Sequence, residues 1–139
     1  MKPRRVEGLD PGAPLRANAA RIVETRLAEL LVLAGPALNP EAARAQHDLR
    51  IAAKRLRYVL EVTGPCIGPE AEAARGAAKQ LQSLLGEIHD CDVMLPSAGE
   101  IESLQILLRT RRELLFRRFR EVWREESKRG TWLALEQAL

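Results

Sequence analysis

His47-Asp-Leu-Arg50-Ile-Ala-Ala-Lys54-Arg-Leu-Arg57-Tyr58-Val-Leu-Glu61 decides how this chain is read. Wound at about 100° per residue, the stretch gathers His47, Arg50, Lys54, Arg57 and Tyr58 into one sector about 100° wide. Leu49, Ala53, Leu56 and Leu60 fall on the opposing sector. One face therefore packs while the other aligns a histidine with three long cations. A solvated helix face usually interleaves Glu with Lys at i,i+4. Here the row carries no acid before Glu61. A ladder of one sign suits a polyanion.

Working outward, Pro and Gly punctuate the rest of the chain. Residues 1–14 hold Pro3, Gly8, Pro11, Gly12 and Pro14 and read as an irregular tail. A first helix is expected from Leu15 to Ala34, stopped by Gly35-Pro36. Asn39-Pro40-Glu41 reads as the next start, with Asn39 as N-cap and Pro40 at the first helical position. That helix should end near Thr63 at Gly64-Pro65. Gly68-Pro69-Glu70 opens a third helix reaching about Asp92, and Pro96 breaks the chain after it. Ser97 to Glu100 offers a capping box for a fourth helix reaching Lys128, with Gly130 placed to terminate it. Residues 130–139 add a short helical tail. Four long helices with short connections over residues 15–129 imply an all-α, antiparallel four-helix bundle.

Composition agrees with helix and narrows the function classes. The 139 residues are 46% hydrophobic but only 4% aromatic, which favours Ala- and Leu-rich helices over strands. No apolar run approaches the roughly 20 residues a membrane span needs, so no membrane partner is expected. The basic start lacks a following apolar segment, and two cysteines, Cys66 and Cys91, suggest reduced thiols; a cytoplasmic location follows. From Arg109 to Arg129 nine bases face four glutamates, a balance of +5 that concerns partners rather than fold.

The third helix carries a second pattern, Lys79-x-x-Gln82-x-x-Leu85-Gly86-x-x-x-Asp90. Gly86 inside a helix costs about 1 kcal/mol relative to Ala, which close approach of a neighbouring helix would justify. Asp90, near the expected helix end, opposes the helix dipole unless a cation answers it. A base from the second helix would do so, making Asp90 an orienting group for the basic row.

Together the two patterns, His47-x-x-Arg50-x-x-x-Lys54-Arg55-x-Arg57-Tyr58-x-x-Glu61 and Lys79 to Asp90, closely resemble the CHAD domain, the conserved histidine α-helical domain, over roughly residues 15–128. The resemblance implies a helical module that binds inorganic polyphosphate through His, Arg and Lys. Carried onto this chain, the binding set is His47, Arg50, Lys54, Arg57 and Lys79. Tyr58, Glu61 and Asp90 support or orient it, and Arg55, Arg109 and Arg112 offer further basic contacts. Family members are often fused to, or encoded beside, phosphate-metabolising enzymes, and some localise to polyphosphate granules. The usual domain has two four-helix repeats, whereas one fits here, so a homodimer is expected to rebuild the pair. The fourth helix or the tail around Trp132 would supply the interface. Where the family usually has Arg or Asn before the aspartate, this chain has His89.

Other chemistry finds less support. His47, His89, Cys66 and Cys91 show no zinc-site spacing, no Gly-x-x-x-x-Gly-Lys loop exists, and no nucleophile is paired with a base. No catalytic residue, metal or cofactor is therefore expected, and the protein reads as a binding module rather than an enzyme. The alternatives are a helical protein that binds RNA or DNA without sequence preference, or a scaffold for a phosphate-metabolising partner. Sequence-specific base reading is disfavoured because the row offers only Tyr58 for stacking. Tyr58 itself is expected to pack, its hydroxyl holding a basic side chain. The arginines of the fourth helix are in part a solvated face balanced by Glu113, Glu121 and Glu125.

Overall fold

The computed structural model describes residues 1–139, and its regular secondary structure is all helical. Its elements are α1 (Leu15–Ala37), α2 (Ala43–Ile67), α3 (Pro69–Ser97), α4 (Glu102–Arg129) and α5 (Thr131–Ala138). The tail before Leu15 is not helical but is pinned down. Arg55 donates to the Met1 carbonyl at 2.6 Å, Arg26 donates to the Arg4 carbonyl at 3.1 Å, and the Arg4 amide donates to the buried Glu29 carboxylate.

Neighbouring helices run antiparallel. Arg16 at the start of α1 reaches the Cys66 and Ile67 carbonyls at the end of α2. Along α2 and α3, His47 meets His89, Arg50 crosses Gly86 and Arg57 meets Gln82, a register that descends on one helix as it climbs on the other. Alanines 52 and 53 on α2 and 71, 74, 77 and 78 on α3 are all buried, and small side chains let two backbones lie close. Leu49, Leu56, Leu60, Leu81, Leu85 and Ile88 complete the shared core with Val23, Leu27 and Leu30 of α1.

α4 packs along α3 and does not close against α1; α5 fills that side, touching α1, α3 and α4. Trp132 and Leu135 of α5 are buried, and Trp132 stacks on Trp123 with centroids 5.7 Å apart. Trp132 itself is thus part of the core, while Leu133 beside it is exposed.

Several boundaries differ from the sequence reading, for one recurring reason. Pro36, Pro65 and Pro96 lie inside the last turns of α1, α2 and α3 rather than beyond them. So close to an end, a proline removes a single backbone donor, and the turn survives it. α1 runs on through Gly35-Pro36 to Ala37, and α2 passes Gly64-Pro65 to Ile67. α2 is stopped instead by Gly68, at φ 129, a conformation open to glycine and strained for other residues. Asn39 does not cap α2. Its Oδ1 accepts from the Glu41 amide at 3.1 Å in a local turn, and α2 starts at Ala43. The buried Gln46 holds that turn by donating to the Asn39 carbonyl at 2.9 Å. Ser97 is the last residue of α3 and caps nothing; α4 begins at Glu102 without a side-chain cap. Gly130, at φ 77, ends α4 as expected.

Candidate polyanion-binding groove

The packing of α2 on α3 turns two rows into one groove. α2 contributes His47, Arg50, Lys54, Arg57 and Tyr58. α3 contributes Lys79, Gln82, Gly86 and His89, spaced three and four residues apart and so on one helix face. The opposing sector of α2, with Leu49, Ala53, Leu56 and Leu60, is buried as expected.

At one end the two imidazoles face each other with centroids 4.6 Å apart and planes inclined by 34°. His47 Nδ1 is shielded from solvent and has no hydrogen-bond partner, so the nitrogen that ring offers to the groove is Nε2. Arg50 behaves alike: its Nε is shielded and unpartnered, leaving the two terminal amino groups free. Its stem runs over Gly86, with Cδ 3.8 Å from where a β-carbon would stand. Gly86 thus leaves room for a cation of α2 to lie across α3; a methyl group there would be in ordinary contact, whereas a longer side chain would displace Arg50.

Burial, the neighbouring His89 and the Arg50 guanidinium together hold the His47 pKa below its ordinary 6.5. Arg44 acts in the same direction, and Asp48 opposes it. The groups facing this imidazole are thus Arg44, Asp48 and Arg50 on α2 and His89 on α3, while Arg112 of α4 is engaged elsewhere. Two like charges about 4 Å apart repel by about 4 kcal/mol at an effective dielectric near 20. The His47 imidazolium is therefore disfavoured unless an anion is present.

The middle of the groove is open. Lys54 there is exposed and belongs to no ion pair; the same holds for Lys79, which lies one turn of α3 past Gln82 and so level with the Glu61 end. Further along, the arginines are increasingly committed. Arg57 donates through Nε to Gln82 Oε1 at 2.8 Å and through Nη1 to Glu61 Oε1 at 2.8 Å. Beyond it Arg75 is paired with Glu72 at 2.7 Å. Glu61 is thus the ion-pair partner of Arg57. Positive charge runs down from the histidine end to the Glu61 end.

Three expected roles are corrected. Asp90 is exposed and belongs to no ion pair; the acid answered by a cation is Asp92, and the cation is Arg112 of α4. Because α3 continues to Ser97, Asp90 is not at the helix end, and the dipole argument does not apply to it. Arg112 is likewise no open contact. It grips Asp92 with two nitrogens, Nη2 to Oδ2 at 3.1 Å, and donates to Gln46 Oε1 at 2.6 Å and the Pro40 carbonyl at 2.9 Å. It is a clamp between α4, α3 and the α2 start. Tyr58 is half exposed rather than packed, its ring lying 4.4 Å from the Arg57 guanidinium carbon and 5.8 Å from Lys54 Nζ. The contact is with its ring, and its hydroxyl holds nothing.

Of the remaining bases, Arg55 is turned to the Met1 carbonyl. Arg109 is exposed on α4, whose packing is with α3 and α5. Arg117 and Arg118 pair along α4 with Glu113 and Glu121, the solvated face the sequence suggested. The residue that sequence reasoning undervalued is His89. The stripe Lys79, Gln82, Gly86, His89 was readable at helical spacing, but its opposition to His47 depends on the register between α2 and α3.

No group of three or more His, Cys, Asp or Glu side chains is gathered as a metal site would require. Cys66 and Cys91 are free thiols, and burial pushes the Cys91 thiol up from its ordinary pKa. No helix is long and apolar enough to cross a membrane.

Fold and site together define an all-helical bundle with a basic row along two antiparallel helices. The chain belongs to the CHAD domain family, whose model matches residues 2–98. That span holds the tail from residue 2, α1, α2 and all of α3, hence the whole groove; α4 and α5 lie outside it, so the match ends earlier than residue 128. No curated protein and no solved structure matches the chain.

Proposed function

We propose that the α2–α3 groove binds inorganic polyphosphate and that the protein is a non-catalytic polyphosphate-binding module. One observation carries the reading: His47 Nε2, the Arg50 amino groups, Lys54 and Lys79 have no protein partner and share one groove. Arg supplies a planar fork matched to phosphate oxygens, and Lys supplies a compact charge. A linear polyanion rewards such a row through counterion release. The distance from His47 to Arg57 along α2 is about 15 Å, enough for several consecutive phosphates. Presenting the chain to a phosphate-metabolising enzyme, or retaining it on cytoplasmic polyphosphate granules, is the use such a groove would serve.

RNA or DNA is the competing polyanion. Its bases would need stacking surfaces, and the one aromatic ring at the row, Tyr58, lies beside Arg57 and Lys54. Gel-shift competition between long-chain polyphosphate and single-stranded RNA of matched charge, across a salt series, tests the choice. Polyphosphate is expected to win at physiological salt; RNA winning there overturns the reading.

The pH dependence has a definite sign. With its pKa depressed in the fold, His47 favours folding above about 6.5, and that contribution is lost as pH falls through the lowered value. Bound phosphate reverses the preference by raising the pKa. Polyphosphate affinity should therefore rise as pH falls from about 8 to about 6, and His47→Gln should flatten the rise. His89→Gln is the companion variant, and a profile unchanged by both would make the histidines structural.

Assembly is proposed as a homodimer through α4. Leu107 and Leu114 are 62% and 59% exposed, and with Leu84 and Leu115 they line a shallow apolar groove between α3 and α4. The bases around it are already neutralised, Arg111 by Glu87 and Arg118 by Glu121, so two copies can meet there without net repulsion. Light scattering at micromolar concentration should report twice the 15.5 kDa chain mass, and Leu107→Glu with Leu114→Glu should halve it. A monomeric wild type removes the assembly and leaves the groove assignment standing.

A further inference from the structure

The groove is unequal along its length, and the inequality suggests which part of a polyphosphate each end receives. At the Glu61 end both arginines have acid or amide partners, Arg57 with Glu61 and Gln82 and Arg75 with Glu72, and Lys79 alone is left unpaired. At the other end the outward nitrogens of His47, His89 and Arg50 have none. Three groups able to carry positive charge thus converge at one point, two of them imidazoles in contact.

Polyphosphate offers two kinds of unit. An internal phosphate carries one negative charge, while a terminal phosphate carries a second ionisable oxygen and approaches two charges near neutral pH. The terminal unit brings the larger charge and a third free oxygen to two imidazoles and a guanidinium together. Internal units match the single, separated cations Lys54 and Lys79.

We propose that His47, His89 and Arg50 form a seat for the chain-terminal phosphate, so that the groove binds polyphosphate by its end and in one direction. The body of the chain then runs past Lys54 and Arg57 toward Lys79, the last free cation of the row. His89 is a phosphate contact in this arrangement, and its proximity to His47 sets the preference for a doubly charged group. Burial and neighbouring cations hold the His47 pKa low when the seat is empty, and that ring gains most from the anion that brings the most charge. This inference rests on the polyphosphate reading and adds an orientation to it.

The test compares two linear polyphosphates of equal total charge. One has free ends. The other is capped at both ends as alkyl phosphoramidates, which removes one charge per end, and is two phosphates longer to compensate. Binding of each to the intact wild-type chain is measured by calorimetry at constant salt near pH 6.5. The free-ended chain should bind roughly tenfold more tightly, the scale of one well-placed charge-assisted contact. The preference should collapse to near unity in His89→Gln and in His47→Gln. Circular dichroism and retained, weakened binding of long-chain polyphosphate show that these variants are folded. Equal binding of the two chains by the wild type overturns the seat while leaving polyphosphate binding intact. A preference that survives in both variants also overturns it. Failure to bind either chain, or long-chain polyphosphate, sinks the parent reading and this one together.

Discussion

Replacing Arg50, Lys54 and Lys79 together by Gln should abolish high-affinity polyphosphate binding. These cations have no acidic partner in the fold, so their charges are available to ligand, and Gln keeps length and helix propensity. Charge-assisted contacts are worth about tenfold each, which puts the combined loss between about a hundredfold and a thousandfold at low salt. The more diagnostic quantity is the salt dependence. At roughly 0.7 per lost contact with a single-stranded polyanion, the slope of log K against log salt should become shallower by about two. Arg57→Gln alone should barely change that slope, because Arg57 is committed to Glu61 and Gln82. Unchanged affinity and slope in the folded triple variant would remove the groove as the binding site.

The second large effect concerns stability. Arg112→Met keeps the bulk of the side chain but takes the only cation from Asp92 and a donor from the buried Gln46. Breaking a partly buried ion pair on one side leaves the other group desolvated and unanswered, at a cost of about 2–4 kcal/mol. For a chain of this size that corresponds to a fall in Tm of roughly 5–15 °C. Asp92→Asn added to Arg112→Met should recover part of the loss, since no orphaned charge then remains. A single variant melting within about 2 °C of wild type would show the clamp to be solvent-screened. The same experiment separates two kinds of arginine on α4. Arg117→Gln, removing an exposed i,i+4 pair with Glu113, should cost no more than about 0.5 kcal/mol.

The sequence by itself determined the helical class, the existence of four long helices and the basic row on the second of them. Those features rest on local periodicity: a residue's face on a helix follows from its number, and the buried positions of α2 confirm the period. Gly130 and the Gly68-Pro69 start were legible because a left-handed or otherwise glycine-favouring backbone and a proline at the first helical position have few alternatives. The family resemblance was legible too, because the two patterns that carry it lie within single helices.

Only the tertiary structure decided which charged groups are free. Arg57, Arg75 and Arg112 are as basic in sequence as Lys54 and Arg50, but neighbours on the same helix or across a packed interface occupy them. Asp90 and Asp92 are two residues apart and differ in role because Arg112 grips Asp92, whereas Asp90 lines the α3–α4 cleft with no ion pair. Helix ends moved for a related reason: whether a proline stops a helix depends on what its last turn packs against, and burial of Ala37 and Ile67 holds those turns in place. The encounter of His47 with His89 was invisible for the same cause. It depends on the α2–α3 register, set by alanine packing along the whole interface rather than by any residue near either ring.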